Sequence, residues 1–430
     1  MITNRRPRGP RTLADRAATA ADLADALRSE VDSGAVRSLV LLVPDPHARF
    51  ASVELGARFF VDTVLAGGYG VCSYVFAWNP AREAVSAEVF APYTATYGDL
   101  LMRPDLATLT PLPGEPGTWL VVCDVEWPGG EPVPIAPRTA LRGQLAAVEE
   151  LGLVPSVGIE HEVTFTDAAG EPLVTDGLDY ATLDRLRPLL NAVGSEVDEA
   201  GLDVESRRGE CHPGQYESVL GHRDALAACD DAMLQQLLIR RAATARGVRA
   251  GYLAAETAGA GSSCHVHLSL SRRDGSPADL DRFVAGVLAA AADLTAIWAP
   301  TWNSYVRLRT APFAPRDLRV GVDDRTAALR LAGTGANRRV EVRLAGADAP
   351  PHLVVAALLA AGRHGPTGTP PGRLHDTPWA ARAALHGSAL ARTLLGDAMV
   401  DARVALLDEE IAAGLDTVTD WQRHRGDLRA

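Results

Sequence analysis

Three short segments of this chain set ionisable side chains on alternate positions. In Val157-Gly-Ile-Glu-His-Glu-Val-Thr-Phe165, a two-residue period puts Val157, Ile159, Val163 and Phe165 on one face and Glu160 and Glu162 on the other. In Cys264-His-Val-His-Leu-Ser-Leu270, His265, His267 and Ser269 share the face opposite Val266, Leu268 and Leu270. In Arg339-Val-Glu-Val-Arg-Leu344, Arg339, Glu341 and Arg343 lie opposite Val340, Val342 and Leu344. Any one of these strands would alternate in the same way if its polar face met only solvent. All three concentrate Glu, His and Arg, the residue types that bind hard cations and phosphate. Glu210-Cys-His-Pro-Gly-Gln-Tyr-Glu217 adds two carboxylates about a Pro-Gly turn. Five carboxylates (Glu160, Glu162, Glu210, Glu217, Glu341) with one imidazole, His265, suit Mg²⁺ or Mn²⁺ better than zinc. Such ions beside arginines point to phosphoryl transfer from a nucleotide.

Composition narrows the chemistry further. All 42 basic residues are arginine, so a Walker-A lysine, a pyridoxal-phosphate Schiff base and a lysine general base are excluded. The formal charge of −12 argues against a nucleic-acid or anionic-membrane partner. The five cysteines are odd in number, widely spaced and without a C-x-x-C pair, which predicts a reducing, cytoplasmic setting and no zinc site. Arg5-Arg6 is followed by Asp15, Arg16, Asp22 and Asp25 rather than an apolar export segment. The longest apolar run, Leu353 to Ala361, is too short to span a bilayer.

The elements that must position these residues follow from periodicity. Residues 1–12 are Arg/Pro-rich and expected to be disordered, and residues 13–30 carry a helical pattern. Ser38–Val43 and Gly70–Trp78 read as strands, with a helical stretch near Val53–Leu65 between them. The Pro/Gly-rich run 111–117 reads as a loop and a domain boundary. Thr118–Trp127 and Pro132–Ile135 read as a hairpin, and helices are expected over 138–152, 180–200, 222–246, 278–298 and 350–362.

At the motifs already quoted, the sequence resembles the glutamine synthetase family. Gly261-Ser-Ser-Cys-His-Val-His267, Asn303-Ser-Tyr-Val-Arg307, Asp324-Arg-Thr-Ala-Ala-Leu-Arg330 and Gly346-Ala-Asp-Ala extend the match in order and spacing. The short interval from Glu210 to Glu217 is similar to the branch that joins glutamate to organic amines. The resemblance implies an α+β fold, with an N-terminal extension (1–29), a β-grasp domain (30–114) and a catalytic domain on a curved antiparallel sheet (115–430). It implies a homo-oligomeric ring, a decamer or dodecamer, with active sites between neighbours. It also implies two or more divalent ions per site, one held by Glu162, Glu210 and Glu217 and another by Glu160, His265 and Glu341. Arg307 and Arg343 would grip the amino-acid substrate, with Gly261, Phe313 and Tyr180 as further substrate positions. Arg325, Arg330 and Arg339 would meet phosphate, and Glu205, His267 and Ser269 the nucleotide.

The departures from the family pattern bear on the amine. Ammonia-using members carry a glutamate on the flap after the Arg307 motif, where this chain has Ala311-Pro-Phe313-Ala-Pro315. The aspartate that the family's N-terminal domain lends to ammonium has no counterpart in Cys72-Ser-Tyr-Val-Phe-Ala-Trp78, whose Tyr74, Phe76 and Trp78 offer an aromatic wall. Ammonium needs anionic partners and a base, whereas an apolar lining favours a carbon-bearing amine. The expectation is an ATP-dependent glutamate–amine ligase. An ordinary ammonia-using enzyme and a catalytically silent ring-forming protein are the alternatives.

Overall fold

The computed structural model describes residues 20–173, 184, 186–367 and 372–429. Two sheets organise it. The first runs in the order Phe50–Gly56, Ser38–Pro44, Thr118–Glu126, Asp99–Pro104, Tyr69–Cys72, with Thr110–Pro111 also pairing to Thr118–Glu126. The Ser38–Pro44 strand is parallel to Thr118–Glu126, with Ser38 opposite Thr118, while the other pairs are antiparallel. This parallel pairing in a mixed sheet, with Ala20–Asp32 and the helical stretch 57–67 packed into its core, agrees with the β-grasp expectation. Residues 1–19 and Tyr180 lie outside the described residues.

The structure corrects four details of the sequence reading. Thr118–Glu126 sits inside the first sheet, so that sheet extends past the expected boundary at 114, and the Pro/Gly run is a loop within it. The following hairpin reduces to a single bridge between Glu126 and Pro132. The stretch read as helical at 53–65 begins as strand Phe50–Gly56 and turns helical only from Ala57. The expected strand 70–78 stops at Cys72 and becomes a 3₁₀ turn over Ser73–Phe76. That turn buries Phe76 completely and leaves Trp78 only 6% exposed. The Trp78 indole N–H donates to Asp45 at 3.1 Å, so Phe76 and Trp78 belong to this chain's own core and supply no aromatic wall to a neighbour.

The second sheet carries the chemistry. Its order is Val320–Val322, Leu329–Ala332, Arg339–Val342, Cys264–Arg272, Leu153–Thr166, Gln215–Leu220, Val204–Gly209. Along the 14-residue central strand, Leu153–Thr166, the apolar face meets two clusters in succession. Val157 and Ile159 pack with Val266, Leu268 and Val340 on the helical layer, and Val163 and Phe165 pack with Tyr216 and Leu238. The run Leu353–Ala361 is the middle of the Pro351–His364 helix, almost wholly buried in that layer. No described helix is long and apolar enough to cross a membrane.

One buried ionic group joins the first sheet to the helices that cover the second. Arg138, 2% exposed at the start of helix Pro137–Glu150, reaches Asp105 at 2.7 Å and Asp124 at 2.5 Å in the first sheet. It also reaches Asp230 at 2.8 Å in helix Ala225–Thr244, and His352 bonds the same carboxylate at 2.8 Å. Burial opposes the Arg138 charge, but these three aspartates outweigh it and hold the guanidinium firmly protonated.

Candidate active site

The sheet register brings the polar faces of the sequence motifs into rows. His265 lies opposite Glu160, and Glu162 lies opposite Glu217, which in turn faces Arg208. On the other side His267 pairs with Glu341, and Glu341 with Arg330. One cleft of about 750 Å³ is lined by Glu160, Glu162, Glu210, Glu217, His265 and Gly261, with Arg307, Arg325, Arg343 and Phe313 over them. Ten of the residues singled out from sequence thus meet in one place. Glu341, Arg330, Arg339 and His267 adjoin it through direct contacts. Glu205 is exposed on the edge strand, and Ser269 sits two residues beyond His267; neither lines the cleft.

The carboxylates divide into two groups of different electrostatics. Around Glu162, 8% exposed, burial and the nearby Glu210 charge push the carboxyl up to about 7. Glu217, 1% exposed, is pushed up to about 8 by burial and then by Glu160. Arg208 is the cation at hand, 2.7 Å from Glu210 and 2.8 Å from Glu217. These acids with one half-exposed arginine between them make a donor set that fits a divalent cation, whose charge would offset the burial and repulsion that hold Glu162 and Glu217 protonated.

The second group is ionised as it stands. Burial works against the Glu160 charge, but hydrogen bonding to His265 and His267 outweighs it and holds Glu160 well below the usual range. Burial likewise opposes the Glu341 charge, and His265 and Arg343 overcome it to bring the carboxyl down to about 2. Arg343 and Arg330 both bond Glu341, Arg330 at 2.7 Å. Ligand atoms of Glu160, His267 and Glu341 lie within 4.8 Å of one another, close enough to share one ion. His265 Nδ1 is 3.6 Å from both Glu160 and Glu341, so the two histidines flank the same pair of carboxylates. Burial pushes His265 down to about 4, which leaves a neutral imidazole suited to ligation. Arg339 donates from Nε to His267 Nδ1 at 3.2 Å, which turns that ring's Nε2 toward Glu160, 2.9 Å away.

The substrate side is built by helix Trp302–Thr310 and the flap that follows it. Thr301 and Ser304 form a capping box at the helix start. The helix presents Arg307, 3% exposed, whose guanidinium donates to the Leu344 and Arg343 carbonyls at 3.0 and 3.2 Å. Those bonds fix Arg307 against the strand end that carries Arg343. Gly261 has a steric reason: a Cβ there would stand 2.6 Å from the Ala311 Cβ, so its absence lets the flap close down. Phe313 is 52% exposed on the flap and faces the cleft.

Two contributors escaped the sequence reading. Gln215 donates to Glu162 Oε2 at 2.8 Å, to the Gly261 carbonyl at 2.9 Å and to Ser262 at 3.1 Å, tying the acid to the substrate loop. It is two residues before Glu217, and the same period of two that placed the acids would have placed it. Arg208 left no comparable signal, because its meeting with Glu217 depends on strand pairing.

The comparisons with known proteins agree with this arrangement. Residues 134–373 match the family model described as the glutamine synthetase catalytic domain. The chain is 35% identical to the gamma-glutamylethanolamide synthetase GlnA4 of Streptomyces coelicolor, over 93% of this chain and 94% of that one. It is 32% identical to a glutamate–isopropylamine ligase of a Pseudomonas species, over 73% and 74%. A solved structure described as a GmaS/ADP complex superposes with a TM-score of 0.80 at 25% identity, covering 94% of this chain and 99% of that one. With its metal-ligand motifs, its two-sheet fold and the match over most of its length all in accord, the chain belongs to the glutamine synthetase family.

Proposed function

We propose that this chain is an ATP-dependent ligase that joins the γ-carboxylate of L-glutamate to an organic amine. The observation that carries the reading is the cleft itself. Two sets of metal-type ligands and a group of arginines converge beneath a flap that presents Phe313 where an acid would serve ammonium. The names of the relatives, an ethanolamide synthetase and an isopropylamine ligase, support the choice of a carbon-bearing amine.

The chemistry follows from the residues. Arg343, with Arg307 holding its backbone, receives a substrate carboxylate through paired N–H donors. Arg325, at the rim, and Arg330 and Arg339, on the second sheet, face the phosphate side. A γ-carboxylate oxygen attacks the terminal phosphorus of ATP and ADP leaves. The amine nitrogen then attacks the acyl carbon, phosphate leaves, and the nitrogen gives up a proton. Glu162, Glu210 and Glu217 would hold one Mg²⁺ or Mn²⁺, and Glu160, Glu341 and the flanking His265 and His267 another. Such ions supply charge neutralisation of the phosphate oxygens. Between the two histidines, the geometry around Glu160 and Glu341 gives His267 the shorter approach and His265 the more symmetrical one. Assembly as a homo-oligomeric ring, a decamer or dodecamer, in the cytoplasm completes the proposal.

The test is phosphate release from ATP with Mg²⁺ or Mn²⁺, glutamate and a panel of amines. Release that requires both glutamate and an organic amine supports the reading. Release with ammonia alone would make the chain an ordinary synthetase, and none with any amine a silent protein.

A further inference from the structure

A second cavity, of about 850 Å³, lies behind the active cleft. Its walls are the Pro46–Arg49 turn of the first sheet, helix Ala225–Thr244 and helix Asp397–Asp416. It lies on the side of the central strand away from the acids. Gln236, in its wall, bonds the His161 ring at 2.9 Å, and His161 bonds the Ala347 carbonyl at 2.8 Å. No residue of this cavity lines the active cleft.

Among the described residues, two arginines in this cavity make no direct ion pair. Arg403 is 3% exposed, its guanidinium reaches only the Pro46 carbonyl, at 3.3 Å, and its Nε has no hydrogen-bond partner. Arg240 stacks over the Tyr252 ring at 4.9 Å and makes no hydrogen bond or ion pair with any described residue. Arg49, nearby, is already committed to Asp45 at 3.2 Å. The cavity's own acids, Asp348 and Glu410, favour the Arg403 charge from a distance but make no ion pair with either arginine among the described residues. Asp348 Oδ2 accepts from the Thr301 and Ser304 hydroxyls at 2.5 and 2.6 Å, and Glu410 accepts from the Trp302 N–H at 3.0 Å. Burial pushes both of those carboxyls toward their neutral forms. A buried guanidinium without an anion is costly, and burial correspondingly weakens the hold of Arg403 on its proton, to about 10.

We propose that this cavity is a binding site for a small carboxylate, held by the Arg240 and Arg403 guanidinium groups and separate from the active cleft. A carboxylate matches the planar donor fork of arginine. A monoanion suits a site that also contains Asp348, whose buried Oδ1 has no partner and in its neutral form offers a further donor or acceptor. The Tyr252, Pro300 and Leu406 side chains give a short carbon chain an apolar wall. The proposal does not depend on which amine the enzyme uses.

Propionate is the probe, with propionamide and inorganic phosphate as controls, followed by saturation-transfer NMR and thermal shift on the full chain. Propionate is expected to bind saturably, and Arg343→Gln, which alters only the active cleft, should leave that binding intact. Arg240→Gln should weaken it at least about tenfold. Arg403→Met is the stronger lesion but removes a fully buried group, so Arg240→Gln, on a half-buried side chain, carries the test if that variant does not fold. Absence of saturable binding, equal binding of propionamide or phosphate, unchanged binding in Arg240→Gln, or loss in Arg343→Gln would each overturn the assignment.

Discussion

The raised carboxyls of the cleft make cation binding a proton-releasing reaction. In the free protein Glu162 sits at about 7 and Glu217 at about 8. At pH 7 the first is then ~0.5 and the second ~0.9 protonated, so an ion that requires both as carboxylates displaces ~1.4 protons per chain. At pH 9 the release falls to ~0.1, and the affinity rises ~20-fold because both ligands are already ionised. The same acids set a stability trend. Their folded-state values exceed the ordinary one, so the folded chain binds more protons than the unfolded chain, and stability falls as pH rises toward 8. Below pH 6.5 the effect is opposed by His161, His222 and His265, each lowered by burial to about 4, whose unfolded forms bind the extra proton. At pH 6.5 those histidines, half protonated when unfolded, nearly cancel the acids, so the window in which the acids dominate is about pH 7 to 8. Titration calorimetry with Mg²⁺ in buffers of different ionisation enthalpy counts the protons. Thermal melts of the metal-free chain should fall across that window and recover when Mg²⁺ is added. Release below ~0.3 protons at pH 7, with flat affinity between pH 7 and 9, would refute the electrostatic picture of this cluster.

Other consequences are as direct. Arg343→Lys keeps the charge but loses the bidentate fork, so KM for glutamate should rise at least ~10-fold in steady-state kinetics. Phe313→Glu returns a carboxylate to the flap, and the ratio of kcat/KM for ammonia to that for an organic amine should rise. Arg138→Ala leaves the buried Asp230 with His352 alone, while Asp105 and Asp124 keep Arg142, and chemical denaturation should show a loss of ~3–5 kcal/mol.

Much of the second sheet was legible because one physical rule governs both its fold and its site. Strands buried on one face and functional on the other alternate strictly, and the segments read as 157–165, 264–270 and 339–344 appear as Leu153–Thr166, Cys264–Arg272 and Arg339–Val342. What a strand cannot disclose is its neighbour. The pairing of Glu217 with Arg208, and the presence of both His265 and His267 beside Glu160, are matters of register between segments far apart in sequence. Local rules failed at Tyr74, Phe76 and Trp78 for a different reason. Alternation suggested a strand, but the 3₁₀ turn at Ser73 rotates the side chains, and core packing claims Phe76 and Trp78. The Pro/Gly run at 111–117 carried every local mark of a linker, yet the next strand returns to lie beside Ser38–Pro44.

The central claim is that the cleft activates glutamate for an amine other than ammonia. It is tested most directly by kcat/KM for ammonia against an organic-amine panel that includes ethanolamine and isopropylamine, on the unmodified chain with ATP, Mg²⁺ and glutamate. An apolar flap without its acid predicts that the best organic amine exceeds ammonia by at least tenfold, about 1.4 kcal/mol of transition-state preference. Ammonia ahead by the same margin would contradict the account and return the chain to the ammonia-using synthetases.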